Sequence, residues 1–380
     1  MSDLYELPNG WEWKKISDTF KIKSGYFLPK KTMVESGNYN VYGGNGINGK
    51  HNEYNLTGEN IVIGRVGALC GNVRLTNENL WITDNAFYIS DYKFNIDKVY
   101  LSNFLSYIKL GETANQSAQP VISYKGISDL DIPLPPLSEQ QRIVSKLDLL
   151  FEKIDKSIAL HQKNMDEANV FMGSVLNDVF GELEEKYGLI KINDVVVKTN
   201  NVNPMNDLDK PFTYIDISSI DNKSFKIVEP KQLIGSEAPS RAKKEVLLGD
   251  IVYATTRPNL KNISIVSEEY NNSIASTGFC VLRVNDNTIN SYLFYYVITD
   301  KLFEQIEPNI RGAQYPATSD KDLKNCNIPN TPLNIQQKVV KYLDEISEKI
   351  EKVKSVQKVK MDSLKALKAS ILDRAFRGEL

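Results

Sequence analysis

"DIPLPPLSEQQRIVSKLDLLFEKIDK" (131–156) returns, 196 residues later, as "NIPNTPLNIQQKVVKYLDEISEKIEK" (327–352). Between Pro120 and Lys156, 16 of 37 positions are identical to their partners, without a gap. The match reappears in "FGEL" (180–183) and "FRGEL" (376–380). Internal repeats are read before anything else because they set the architecture. Here they make the chain a tandem duplication with a unit near 190 residues.

Each unit follows one plan: a variable part, a proline-rich joint, then a long helix. The joints are "IPLPPL" (132–137) and "IPNTPL" (328–333). Proline lacks an N–H and biases the preceding residue away from helix, so a helix is expected after each joint. Ser138 and Asn334 stand where N-caps are expected. Apolar residues then recur in alternating steps of three and four, the mark of a coiled-coil seam. In the first helix these are Ile143, Leu147, Leu150 and Ile154, then Ala168, Phe171 and Val175. In the second they are Val339, Leu343, Ile346, Ile350 and Val353, then Leu364, Leu367 and Ile371. Mid-seam, His161 and Asn164 correspond to Gln357 and Lys360. Either these polar groups face each other across an antiparallel pair, or a stutter hands the seam to Ile158, Met165, Val356 and Met361.

Connectivity makes the helices antiparallel. The fold class expected is mixed α/β (α+β), with two globular recognition domains separated by a long antiparallel two-helix coiled coil. Pseudo-twofold symmetry and neighbouring termini follow. The boundaries are 1–135 for the first domain, 136–183 for the first helix, 184–331 for the second domain and 332–380 for the second helix.

The variable parts share a framework. "ENIVIGRVG" (59–67) resembles "GDIVYATTRP" (249–258): a β-branched run, then a polar loop with one arginine, Arg65 or Arg257. "DNAFYI" (84–89) resembles "STGFCV" (276–281), and "SNFLSYI" (102–108) resembles "SYLFYYV" (291–297), which reads as helix. Short β-rich runs between Gly/Asn turns indicate a small mixed α/β domain with a twisted sheet.

Charged residues make up 25% and the hydrophobic set 41%, ordinary for a globular protein. No run of 18 apolar residues exists, so no membrane span is expected. "MSDLYELPNGWEWKK" lacks a signal-peptide core. Cys70, Cys280 and Cys326 are scattered, which suits unpaired thiols in a cytoplasmic protein. The net charge of −2 hides uneven segments. Residues 14–74 hold nine Lys/Arg against four Asp/Glu, and residues 231–261 six against three. The helices are opposite in sign: five against eight over 138–183, eleven against seven over 338–380.

Two related modules with basic loops suit a long regular anion, and duplex DNA is the obvious candidate. Arg and Lys pair with guanine edges, Asn and Gln with adenine edges. The candidate contacts in the first module are Tyr42, Asn45, Asn48, Lys50, Arg65 and Gln119. In the second they are Arg241, Lys243, Arg257, Asn259, Lys261, Arg311 and Gln314. "YGGNGINGK" (42–50) approaches the phosphate-loop pattern, but His51 stands where Ser or Thr is required. Turn residues and then the strand-like Ile61–Ile63 run follow, so the loop is expected between strands, without a copy in the second module. A nucleotide-dependent enzyme built on that loop, and a purely structural coiled-coil protein, are the competing readings.

At "IPLPPLSEQQRIVSKLDLLFEKID" the chain resembles the specificity (S) subunits of type I restriction–modification enzymes. Pro-Pro-Leu, Glu-Gln and an apolar helix form that family's transition from recognition domain to conserved helix. The second copy departs from it, with Thr331 for one proline and Ile335 for the glutamate. "PSRAKKEVLLGDIVYATTRPNL" and "VYGGNGINGKHNEY" also resemble stretches of such recognition domains. The resemblance covers essentially the whole chain. It implies that each domain reads half of a bipartite DNA target and that the helices set the spacer and dock two methyltransferase (M) subunits. Restriction (R) subunits join to cleave unmodified DNA. It implies no catalysis, metal or cofactor in this chain, with S-adenosylmethionine, ATP and magnesium on the partners. A near neighbour is the recognition subunit of a system whose partner fuses methylation and cleavage. The sequence agrees with a non-catalytic role: it has no Asp/Asn-Pro-Pro-aromatic methyltransferase motif, no nuclease-like acidic cluster, and only His51 and His161 as histidines.

Overall fold

The computed structural model describes residues 5–115 and 119–380. The chain divides into two compact units. One contains the residues up to Gln162 together with Lys358–Leu380; the other is Lys163–Gln357.

In the first unit an antiparallel sheet runs in the order Lys21–Ser24, Ala86–Ser90, Glu59–Gly64, Val73–Asn77. The run Ile61, Val62, Ile63 is apolar without interruption because both faces of the sheet are covered. Strand side chains alternate: Ile61 and Ile63 face the helices, and Val62 faces a second sheet. That second sheet is Gly46–His51, Tyr39–Gly43 and Leu80–Ile82, the last two parallel. In the second unit Val196–Val197, Phe279–Val284, Ile251–Ala254 and Ile263–Ile265 repeat the first sheet in the same order. Its second sheet gains a strand, running Lys231–Ile234, Pro211–Ile215, Ser273–Ser276, Ala242–Val246.

The expected match of "DNAFYI" with "STGFCV" is one residue out. Phe87 shares a core face with Ile61 and Ile63, whereas Cys280, not Phe279, joins Ile251 and Tyr253. A one-residue slip turns every side chain to the other face. The two phenylalanines therefore point oppositely.

The joints build short ribbons, Glu12–Lys15 with Asp131–Leu134 and Leu189–Lys191 with Asn327–Pro329. The long helices span Leu137–Tyr187 and Leu333–Phe376. They start ahead of the expected caps. The Pro136 carbonyl accepts from the Glu139 and Gln140 amides, and Pro332 likewise from Ile335 and Gln336. Ser138 and Asn334 thus lie inside the first turn and are not the caps.

Within each unit the helices pack antiparallel. In the first, Arg142 donates to the Leu380 carbonyl at 2.7 Å and Lys368 to Asp155 at 2.9 Å. In the second, Leu176, Phe180 and Leu183 share a core with Leu343. The Tyr5 hydroxyl donates to the Phe376 carbonyl at 2.7 Å, which ties the start of the described chain to the last turn of the second helix. The seam of the second helix is phased differently from the expectation. Val353 and Leu367 are exposed, and the inward line runs Ile350, Lys354, Gln357, Met361, Leu364, Lys368, Ile371. Lysine stems cover apolar surface while their heads reach out; Lys368 lies 4.5 Å from the Phe151 ring centroid. The three-four alternation therefore continues through the polar middle without a stutter, although Met361 is inward as the stutter required and Val356 and Lys360 are exposed. In the first helix Phe171 is exposed while His161, Asn164 and Met165 are all half-buried.

Candidate nucleic-acid interface

The glycine-rich stretch is a hairpin, Tyr39–Gly43 and Gly46–His51, turning at Gly44 and Asn45. Strand is followed by strand, so the helix N-terminus that a phosphate loop needs is not built here. The glycines serve protein packing. A Cβ on Gly44 would stand 2.1 Å from the Val66 carbonyl oxygen, and one on Gly64 would stand 2.1 Å from the Gly44 carbonyl oxygen. The hairpin tip can thus press backbone to backbone on the loop carrying Arg65. Val41 pairs with Gly49 and Tyr42 with Ile47, leaving Asn48 as a bulge. Asn45, Asn48 and Lys50 are exposed. Tyr42 is not: it is 8% exposed and its hydroxyl donates to Glu78 at 3.1 Å. Burial and that carboxylate raise its pKa. Tyr42 is a wall of the hairpin and, unlike Asn45, Asn48 and Lys50, is not presented at the surface.

Arg65 is also turned inward. Its guanidinium lies 5.3 Å from the Phe87 ring centroid, and Nη1 donates to the Asp84 carbonyl at 3.3 Å. Its Nε is buried and has no hydrogen-bond partner among the described residues. The Arg65 amide donates to Asn85, Ile122 donates to the Arg65 carbonyl, and the Gly67 amide donates to Pro120, each at 2.9 Å. Gln119, just before Pro120, is exposed. Sequence reasoning passed over Tyr26 and Phe27, both largely exposed and followed by exposed Lys30 and Lys31. Their loop is held beside Arg65's neighbours, since Gly25 donates to Ala86 at 3.2 Å and Tyr26 to Ile82 at 3.0 Å. The signal was present as two adjacent aromatics in "GYFLPKK".

The second module repeats these backbone bonds. Thr255 donates to Gly278 at 2.9 Å, Thr318 to the Thr255 carbonyl at 2.9 Å, and Arg257 to Pro316 at 2.7 Å. The bridge Thr256–Ala317 stands for Val66–Val121. Arg65 therefore corresponds to Thr255, and Arg257 to Gly67. The two loop arginines are two residues apart on the common scaffold and are not counterparts. Gly67 and Arg257 both have positive φ, +101° and +50°. Arginine there is strained, at a cost of about 1–3 kcal/mol.

Arg257 and Asn259 are exposed beside an exposed loop that carries Arg311, Gln314 and Tyr315. Arg311 and Ala317 exchange both backbone hydrogen bonds at 2.9 Å, which closes that loop. Arg241 is exposed, and its carbonyl accepts from Thr277 at 2.8 Å. Lys261 is committed elsewhere: its Nζ donates to the Ile298 carbonyl at 2.9 Å and to Asp300 at 2.6 Å, at the end of helix Asn290–Val297. Cations suit that end of a helix, so Lys261 is a structural tie, not a presented contact. Lys243 is half-buried and donates to Asn203 at 2.6 Å. The structure thus leaves Arg241, Arg257, Asn259, Arg311 and Gln314 exposed, and ties Lys243 and Lys261 to protein partners.

Two glutamines at the joints also escaped notice. Gln140 is 1% exposed and Gln336 is 3% exposed. Gln140 accepts from the Asp97 amide and donates to the Pro135 carbonyl, both at 2.8 Å. Gln336 accepts from Ile289 at 2.9 Å and donates to Thr331 at 2.8 Å and to Asn287 at 3.1 Å. Each bolts a long helix to the loop ahead of its module's helix. Their identity across the 196-residue offset was the available signal.

Among the described residues no group of three or more His, Cys, Asp or Glu is placed to hold a metal ion, and no helix is long and apolar enough to cross a membrane. The three cysteines are free. Burial pushes the Cys280 thiol up to about 12 and the Cys326 thiol up to about 11, which keeps both protonated near neutrality.

Two copies of one scaffold, alike at the joints and different in their exposed basic loops, define a duplicated recognition protein. The chain belongs to the family of type I restriction modification DNA specificity domains, whose model matches residues 8–167 and 184–361. The specificity subunit of the type I restriction enzyme EcoBI of Escherichia coli is 23% identical in an alignment covering all of this chain and 85% of that one. That of EcoprrI, also from Escherichia coli, is 31% identical over 150 residues, covering 38% of this chain and 37% of that relative. The chain thus matches little more than a third of the EcoprrI subunit's length. A solved chain from a study of assembly and conformational transition of the type I R-M system shares the fold. It is 20% identical, with a TM-score of 0.71 over 99% of this chain and 100% of that one.

Proposed function

We propose that this chain is the DNA sequence-specificity subunit of a type I restriction–modification complex. Each module reads one half of a bipartite duplex target. The long helices set the unread spacer and dock two methyltransferase subunits, which carry S-adenosylmethionine. Restriction subunits, with ATP and magnesium, act on unmodified DNA. The chain itself supplies recognition and no catalytic step, and it works in the cytoplasm. The observation that carries this reading is the pair of matching loop frames, 64–67 against 120–122 and 254–258 against 316–318, which carry different side chains, Arg65-Val66-Gly67 in one and Thr255-Thr256-Arg257 in the other. A rigid frame with exchanged loops is how recognition changes while a fold is kept.

Methylated adenines mapped across the genome, with and without this gene, test it. The expected result is loss of methylation at one two-part sequence with a constant gap. An unchanged methylation map would refute the assignment. Four residues inserted into each long helix add about 6 Å of helix and should lengthen the preferred gap; an unaltered gap would remove the spacer role.

A further inference from the structure

We infer that Arg257 reads a guanine in the second module's half-target, that Tyr315 positions it, and that the first module has no counterpart to this pair. The inference rests on the reading that the modules bind duplex DNA. Three observations converge on it. The first is the backbone. The position shared by Gly67 and Arg257 demands positive φ, and glycine is the residue that meets that demand without strain. Arginine stands there in the second module, directly before Pro258, although the residue before a proline is also steered away from helical ψ. Two local rules oppose it, and non-glycine residues held this way concentrate where function requires them.

The second observation is what the side chain does. Arg257 is exposed, and its guanidinium makes no hydrogen bond or ion pair with any described residue. Its partner is the ring of Tyr315, with 5.6 Å between the guanidinium carbon and the ring centroid. Arg65 and Lys261, by contrast, are both tied to backbone carbonyls. The third observation is Tyr315 itself, 65% exposed, on a loop closed by the Arg311–Ala317 pair and joined to Thr256 by the Thr256–Ala317 bridge. A tyrosine that far out of the core contributes little burial; here it offers a face. Stacking holds a guanidinium plane while leaving its N–H edge free, and that edge matches O6 and N7 of guanine in a bidentate pair.

The test uses the full chain in complex with its methyltransferase subunits, presented with a randomised duplex library and titrated with salt. Arg257→Ala should reduce the preference for guanine at one position of one half-target by about 10-fold or more, leaving the other positions intact. Arg257→Lys, which keeps the charge without the planar fork, should not restore that preference. Arg257→Gly suits the backbone and guards against misfolding; it should lose the same single preference. Tyr315→Ala should weaken the preference at that same position, and Tyr315→Phe should retain it. An equal loss of affinity for all sequences, with every base preference intact, would make Arg257 a phosphate contact and overturn the inference while sparing the proposed function. A wild-type complex without a two-part target would overturn both.

Discussion

The two modules differ least where they hold their helices and most where they face outward. Phe376 packs on Tyr100, Phe104 and Tyr107 of the first module, with ring centroids 5.0–5.5 Å apart. Phe180, its equivalent, packs on Tyr292 and Tyr296 of the second at 5.4 and 5.1 Å. Tyr100 and Tyr292 then donate to the equivalent carbonyls of Pro133 and Pro329. At the rim, by contrast, a two-residue turn between Tyr39–Gly43 and Gly46–His51 corresponds to the whole 216–230 excursion between Pro211–Ile215 and Lys231–Ile234. A joint answers to a packed core, where a lost methylene is felt. A rim loop is free to change length wherever, unlike the Gly44 turn, it is not pressed on its neighbours.

The largest effect that breaks this comparison module by module is removal of an aromatic plug. Phe376→Ala should cost about 3–5 kcal/mol and loosen the first module alone. Hydrogen exchange should rise across Glu59–Gly64 and stay slow across Ile251–Ala254; Phe180→Ala should do the reverse. Equal loosening of both modules by either change would deny their separateness. Next comes an ion pair particular to the second module. Asp250 is 1% exposed and binds Arg283 through both oxygens, at 2.9 and 2.7 Å; the matching residue in the first module is the neutral Asn60. Arg283→Leu strands that carboxylate and should cost about 3 kcal/mol in denaturant titrations. A loss below 1 kcal/mol would show that water reaches Asp250.

The joint glutamines sharpen the likeness. Gln140→Leu and Gln336→Leu each leave a half-buried amide, that of Asp97 or Ile289, without its acceptor, and each should cost about 1–3 kcal/mol. If one were silent, the symmetry of the joints would be one of form only. The smallest effect is an acid-sensitive contribution at a position where the first module alone carries a carboxylate. The Tyr107 hydroxyl, at 2.5 Å, and then Arg377 hold the Asp373 carboxyl below its usual range. A carboxylate depressed in the folded state stabilises above its unfolded pKa, and that contribution fades as pH falls through the folded value. Discounted for solvent, it amounts to about 0.5 kcal/mol. Asp373→Asn should flatten the first module's stability below about pH 4 relative to wild type. The second module carries Asn177 at that place and should show no such term.

The duplication, the joints, the two helices and the strand setting of the glycine loop were all legible in the sequence, because each rests on local chemistry repeated over many residues. The failures share a cause. Val353 looks more apolar than Lys354, yet the lysine lies on the seam, since the stem and not the residue type does the covering. Phe87 and Phe279 look alike, yet strand register is decided by pairing partners. Arg65 and Arg257 sit in similar strings, yet only the backbone bonds to Pro120 and Pro316 show which residue stands at the positive-φ position. Of the thirteen candidate contacts, Tyr42 is buried and Lys261 is tied down, and neither was legible, because a hydroxyl's bond to Glu78, in the turn between Val73–Asn77 and Leu80–Ile82, and an ammonium's bonds to Ile298 and Asp300 leave no mark in the string.

The plugging of the first module by Phe376 has a consequence for synthesis. The second unit, 163–357, is one uninterrupted stretch, and the ribosome can deliver it whole. The first is made first and finished last, because its core waits for Ile371, Ala375 and Phe376. Once residue 357 has cleared the ribosome, the chain holds a completed downstream module and an upstream one still open, its apolar face exposed to proteases and chaperones until the last turns follow. Damage to the final turns of the second helix would be felt at the opposite end of the coding order.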